Sequence, residues 1–172
     1  MARARAGRRL APTKESHEKG DVMFKTIIWA TDGSEAADRA LPTALDLTAE
    51  AHGKLLVVHA DAHLGGRAGG IPVIANEEDI RSELVSKVND LVESGIDATF
   101  RVVHGTNKDP ADLIAAVARE VDADLIVVGT RGHGRVAGML LGSVTQRLLH
   151  VAPCPVLAVP AKVAVEAGVA TS

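Results

Sequence analysis

The sequence predicts a single doubly wound α/β domain: a five-stranded parallel sheet with helices on both faces. Three observations carry that reading. Short apolar runs recur at Phe24–Thr31, Lys54–Ala60, Asp124–Val128 and Pro155–Val159, each too continuous to leave one face in water. Stretches with helical spacing of apolar residues separate them, and strands alternating with helices imply parallel strands joined by crossovers. One run alternates instead: Ala98–His104 sets Thr99 and Arg101 against Phe100 and Val102, which suits a half-exposed edge strand.

The first strand ends in Asp32-Gly33-Ser34, a turn followed by a helix cap. A helix is expected from about Ser34 to Ala51, with Leu41, Leu45 and Thr48 on one face, bent where Pro42 removes a hydrogen bond, and ended by Gly53. After the second strand, residues 61–76 carry Gly65, Gly66, Gly69 and Gly70 and read as a surface loop. Ile80, Leu84, Val88 and Leu91 then mark a helix from Glu77 to Ser94. Asp109-Pro110 is an N-cap followed by proline at the first helical position, and the helix it opens buries Leu113, Ile114, Val117 and Val121. A last helix runs from Ser143 to about Val151, where Ser143 and Gln146 match a capping box.

Composition narrows the function classes. The 172 residues are 47% hydrophobic and 24% charged, a globular balance, with two Phe, one Trp and no Tyr. So few aromatics leave no platform for stacking bases, and no nucleic-acid partner is expected. No apolar run reaches the ~18 residues of a membrane span. The single cysteine, Cys154, excludes an intrachain disulfide and reads as a small buried residue in a reducing, cytoplasmic setting. Residues 1–22 hold six basic against three acidic side chains and few apolar ones, so they are expected to be a disordered basic arm ahead of a domain over 23–160. Met23 leaves open a start at that point. Residues 161–172 read as a flexible tail.

The stretch from Val127 to Ser143, VVGTRGHGRVAGMLLGS, carries the chemistry. A buried strand runs into glycines and re-enters a helix through Gly142-Ser143. Glycine lets backbone N–H groups approach an anion, and a helix N-terminus adds unpaired donors and the positive end of its dipole. The pattern points to nucleotide phosphate. It is not a P-loop, because no G-x-x-x-x-G-K-[ST] is present. Gly132, Gly134 and Ala137 match G-x-G-x-x-A but lack the immediate helix and the acidic residue of a dinucleotide site.

The spacing Gly129-x2-Gly132-x9-Gly142-Ser143 resembles the universal stress protein family, specifically its ATP-binding branch, whose motif is G-x2-G-x9-G-[ST]. The resemblance covers about Met23 to Val159, including the Asp32-Gly33-Ser34 turn and the Val58-His59 strand end. It implies a sheet of order 3-2-1-4-5, which puts the alternating strand at an edge. That order opens a crevice above the carboxyl ends of strands 1 and 4, so Asp32 and Gly129 face one cleft. By resemblance, Asp32 takes hydrogen bonds from the adenosine part, Ala60 lies beside the adenine, and Ala30 and Thr31 give main-chain contacts. Gly129 and Gly132 hold ribose and phosphate oxygens, while Gly142, Ser143 and Val144 meet the phosphates.

Simpler readings stand beside these. Asp32 also suits a plain turn, and Ser143 a cap. Arg131 and Arg135 suit either charge-assisted phosphate contact or loop solubility. His133 lies in the same loop with phosphate contact unsupported, and His52, His59, His104 and His150 read as structural. The function expected is that of an ATP-binding stress-response regulator, with ATP as a bound ligand, Mg²⁺ held mainly by its phosphates, and little or no hydrolysis. A weak ATPase or nucleotide-processing enzyme on the same fold and a nucleotide-independent interaction protein are the alternatives. The fifth strand, Val156, Leu157, Ala158 and Val159, is apolar on both faces yet lies at an edge, so a homodimer through it is expected. The family forms dimers this way.

Overall fold

The computed structural model describes residues 24–61, 77–105, 108–132 and 141–160. The expected basic arm, the glycine-rich loop after the second strand and the C-terminal tail lie outside them. Strands β1 (Thr26–Thr31), β2 (Lys54–Asp61), β3 (Ala98–His104), β4 (Leu125–Gly129) and β5 (Val156–Val159) form one parallel sheet in the order β3-β2-β1-β4-β5. Helices α1 (Glu35–Asp38), α2 (Leu41–Glu50), α3 (Glu77–Glu93), α4 (Pro110–Glu120) and α5 (Ser143–Val151) connect and cover it.

Successive residues of a strand point to opposite faces, and the sheet buries both. Ile27, Trp29, Leu55, Val57, Leu125 and Val127 pack under α2 and α3 against Ala44, Leu84 and Val88. Ile28, Ala30, Val58, Ile126 and Val128 pack under α4 and α5 against Ile114, Val117 and Leu148. All six residues of β1 are buried, as a central parallel strand requires. Its start is fixed by the Asp124 carboxylate, whose Oδ2 accepts from the backbone N–H groups of both Lys25 and Thr26 at 2.8 Å. Asp124 therefore anchors β1, and β4 runs from Leu125 to Gly129.

Between β1 and β2 the structure differs from the single bent helix expected. Ser34 caps α1 by accepting from the Ala37 N–H at 3.2 Å, α1 stops at Asp38, and a separate helix begins at Leu41. Pro42 lies in the first turn of α2, where it has no intrahelical N–H bond to lose. The proline starts a helix instead of kinking one. The end of α2 also differs: His52 takes the left-handed conformation at φ 47°. Gly53 is needed for space, since a Cβ there would stand 2.8 Å from the Lys25 carbonyl oxygen.

The N-cap of α4 is Asp109, which accepts from the Ala111 N–H at 2.9 Å. The capping box expected at α5 does not form. Gly142 is the N-cap, Ser143 is already the first helical residue, and no side chain among the described residues caps the helix. Gln146 turns instead toward the Leu141 carbonyl at 3.4 Å.

Candidate functional site

The chain reverses direction across the sheet between β1 and β4, and a crevice opens outside their carboxyl ends. A cavity of about 270 Å³ occupies it. Its floor comes from Ala30, Thr31, Val128 and Gly129, its sides from Asp32, Ala37, Ala60, Arg131 and Gly132, and its far wall from Pro110 and Ile114 of α4 with Gly142, Ser143, Val144 and Thr145 at the start of α5. Ala30, Thr31, Asp32, Ala60, Gly129, Arg131, Gly132, Gly142, Ser143 and Val144, all singled out in the sequence, are thus brought to one cavity. His133 and Arg135 lie outside the described residues.

The turn after β1 is tightly built. The Ser34 N–H donates to Asp32 Oδ1 at 3.0 Å and the Gly33 N–H to Thr31 Oγ1 at 3.1 Å. Gly33 has φ 76°, and a Cβ on it would meet Ile80 of α3 at 2.7 Å. Asp32 therefore does fill the plain turn role, and its carboxylate lines the cavity as well. His59 is buried beside this turn, with Nδ1 donating to the Thr31 carbonyl at 3.0 Å and Nε2 2.9 Å from the Glu77 carboxylate. It ties β2 and α3 to the end of β1.

Three described glycines between the end of β4 and the start of α5 differ in what they make room for. A Cβ on Gly129 would stand 2.8 Å from the Ala36 carbonyl oxygen, so glycine there lets α1 sit on the end of β4. A Cβ on Gly132 would overlap the Asp32 carboxylate. A Cβ on Gly142 would meet nothing nearer than 3.6 Å, and its backbone, φ −69° and ψ 160°, suits any residue. Neither conformation nor packing among the described residues asks for glycine at 142.

The start of α5 is held down by two bonds, the Gly142 N–H to the Thr130 carbonyl at 2.7 Å and Thr145 Oγ1 to the Gly129 carbonyl at 2.8 Å. Further along α5, Arg147 makes a two-pronged contact with Asp112 of α4, its Nη2 2.8 Å from Oδ2. The hydrogen bonds and charge of Asp112 raise its pKa above the ordinary arginine value. Among the described residues no group of three or more His, Cys, Asp or Glu is set to hold a metal ion. No described helix is long and apolar enough to cross a membrane.

Sequence reasoning missed Ala37, Pro110, Ile114, Val128 and Thr145 on the cavity wall. Pro110 and Ile114, four apart on α4, share a face, but only the assembled sheet shows which cleft that face overhangs. Thr145 lies two residues past a motif position and carries no spacing signal of its own.

Residues 23–160 match the model of the universal stress protein family. A universal stress protein of Thermus aquaticus, from the QAH/OAS sulfhydrylase 3′ region, is 40% identical over 146 residues, covering 80% of this chain and 99% of the relative. A crystal structure of a universal stress protein in complex with cAMP is 29% identical with a TM-score of 0.61, covering 80% of this chain and 97% of that one. The structure of the universal stress protein from Archaeoglobus fulgidus in complex with dAMP is 26% identical with a TM-score of 0.56, covering 80% and 98%.

Proposed function

Because the chain belongs to the universal stress protein family, we propose that it is a cytoplasmic regulatory protein that binds an adenine nucleotide, ATP, in the β1/β4 crevice. ATP serves as a bound ligand with little or no hydrolysis, and Mg²⁺ is held mainly by its phosphates. Asp32, Ala60 and the main chain of Ala30 and Thr31 receive the adenosine part. Gly129, Gly132 and Arg131 hold ribose and phosphate oxygens, and Gly142, Ser143 and Val144 meet the phosphates. Two solved relatives that carry cAMP and dAMP support an adenine nucleotide as the ligand class.

The observation that carries this reading is Gly142. It is the N-cap of a helix that no side chain among the described residues caps, it lies on the cavity, and nothing among those residues needs it to be glycine. An anion seated on the first turn of α5 would use both the missing side chain and the uncapped donors. The sheet edge supports a homodimer: Leu157 of β5 is exposed, and among the described residues β5 pairs only with β4.

The test is to denature freshly purified protein and identify any released nucleotide by chromatography and mass, followed by calorimetry with ATP and Mg²⁺, AMP and cAMP. Released or titrated adenine nucleotide supports the site. No release together with flat titrations removes it and leaves a nucleotide-independent interaction protein. Phosphate release measured on the same preparation separates a binder from a slow ATPase.

A further inference from the structure

We infer that Thr145 is a positioning residue for the phosphate end of the cleft: its hydroxyl sets where the first turn of α5 stands over the end of β4. The inference rests on the nucleotide reading above.

Thr145 is the third residue of α5 and is buried, with 2% of its surface exposed. A β-branched residue weakens a helix slightly, and a threonine hydroxyl inside a helix ordinarily turns back to a carbonyl of its own preceding turn. Here it leaves the helix. Thr145 Oγ1 donates to the carbonyl of Gly129, 16 residues earlier and at the last position of β4. The Gly142 N–H makes the neighbouring bond to Thr130, whose own N–H is held by the Val159 carbonyl at 2.9 Å. The helix start is thus pinned at both sides of one turn to consecutive residues of the strand end.

What this fixes is a distance between two sets of groups. On one side stand Gly129 and Gly132; on the other stand the N–H groups at Ser143 and Val144, which no side chain among the described residues caps. Donors act on an anion only when they converge on it in place, and their orientation must be settled before the ligand arrives. Arg147, bound to Asp112, ties α5 to α4 but does not reach the strand. Among the described residues Thr145 is the side chain that joins the two donor sets, and it needs no contact with the ligand to do so.

The experiment compares adenosine and AMP binding to the wild-type chain, Thr145→Val and Thr145→Ser by calorimetry, with thermal unfolding of each. Valine keeps the shape and removes the donor; serine keeps the donor. Thr145→Val is expected to weaken AMP by about fivefold or more, the scale of one lost hydrogen bond, while adenosine stays within about twofold. Thr145→Ser is expected to keep the preference for AMP over adenosine. The inference is overturned if Thr145→Val binds AMP normally, or if it loses adenosine and AMP equally. Should the valine variant not fold, Thr145→Ser decides: loss of the AMP preference with the hydroxyl retained sinks the idea. Wild-type protein that binds neither of these ligands nor ATP with Mg²⁺ sinks the nucleotide reading itself, a different result from any of these.

Discussion

Gly132 and the carboxylate of Asp32 occupy adjoining space, so that a Cβ on residue 132 would overlap Asp32 Oδ2. Oδ1 of the same carboxylate accepts from the Ser34 N–H, and Ser34 in turn caps α1. A side chain at 132 would push the carboxylate away and loosen that turn. Gly132→Ala is therefore expected to cost roughly 1–3 kcal/mol, the scale of overpacking. Gly142→Ala, with open space around it, is expected to cost about 1 kcal/mol or less while removing nucleotide binding. Thermal unfolding and calorimetry on the two variants separate them. Normal binding by Gly142→Ala would show that phosphate does not sit on α5.

Ser143→Ala is a finer probe of the same place. Gly142 is the N-cap, so the Ser143 hydroxyl caps nothing among the described residues and the melting temperature should hold. Affinity for ATP is expected to fall by roughly 1–3 kcal/mol, the scale of a hydrogen bond to a charged group. Affinity for adenosine should not change. Equal losses for both would move the hydroxyl away from the phosphates.

The fold was largely legible because its signals are local. β1 and β4 read as unbroken apolar runs since both faces are buried, and β3 alternates because it lies at an edge. Asp109-Pro110 announced α4 through its own cap chemistry. Pro42 misled because a proline in a helix interior and one in the first turn look alike until the helix start is known. Ser143 misled likewise: S-x-x-Q fits a cap, but the helix begins one residue earlier. In the cleft, β1 and β4 could be placed from strand order, whereas Pro110 and Ile114 arrive through the way α4 leans on the sheet. No local pattern encodes that angle.

Leu157→Lys tests the dimer. Leu157 is 37% exposed on an edge strand that offers an apolar surface for pairing. If a second copy covers it, a charge there leaves monomers or aggregates. A dimer unchanged by light scattering would place the subunit contact elsewhere.

Lys87 offers a pH handle. Its Nζ lies 2.7 Å from Asp38 Oδ2 and 3.4 Å from Glu83 Oε1, linking α3 to α1. Burial opposes its charge, but the hydrogen bonds and charges of Asp38 and Glu83 outweigh burial and raise the pKa above the ordinary 10.5. A raised folded-state value means the contribution is complete below about pH 10.5 and is lost as pH rises through the folded value. Lys87→Met should flatten that alkaline decline in melting temperature. It should also destabilise the neutral-pH protein by roughly 1–3 kcal/mol, since Asp38 Oδ1 is buried with no hydrogen-bond partner among the described residues. A variant whose alkaline profile matches the wild type would assign the decline to another group.

The open space around Gly142 has a consequence at the level of the gene. Every glycine codon becomes an alanine codon by a single base change. On the proposed reading, the one substitution that empties the cleft of its ligand leaves strands, helices and turns as they are. Ligand capacity and architecture are then inherited separately, and a lineage can shed the first in one mutational step while its overall sequence changes at a single position.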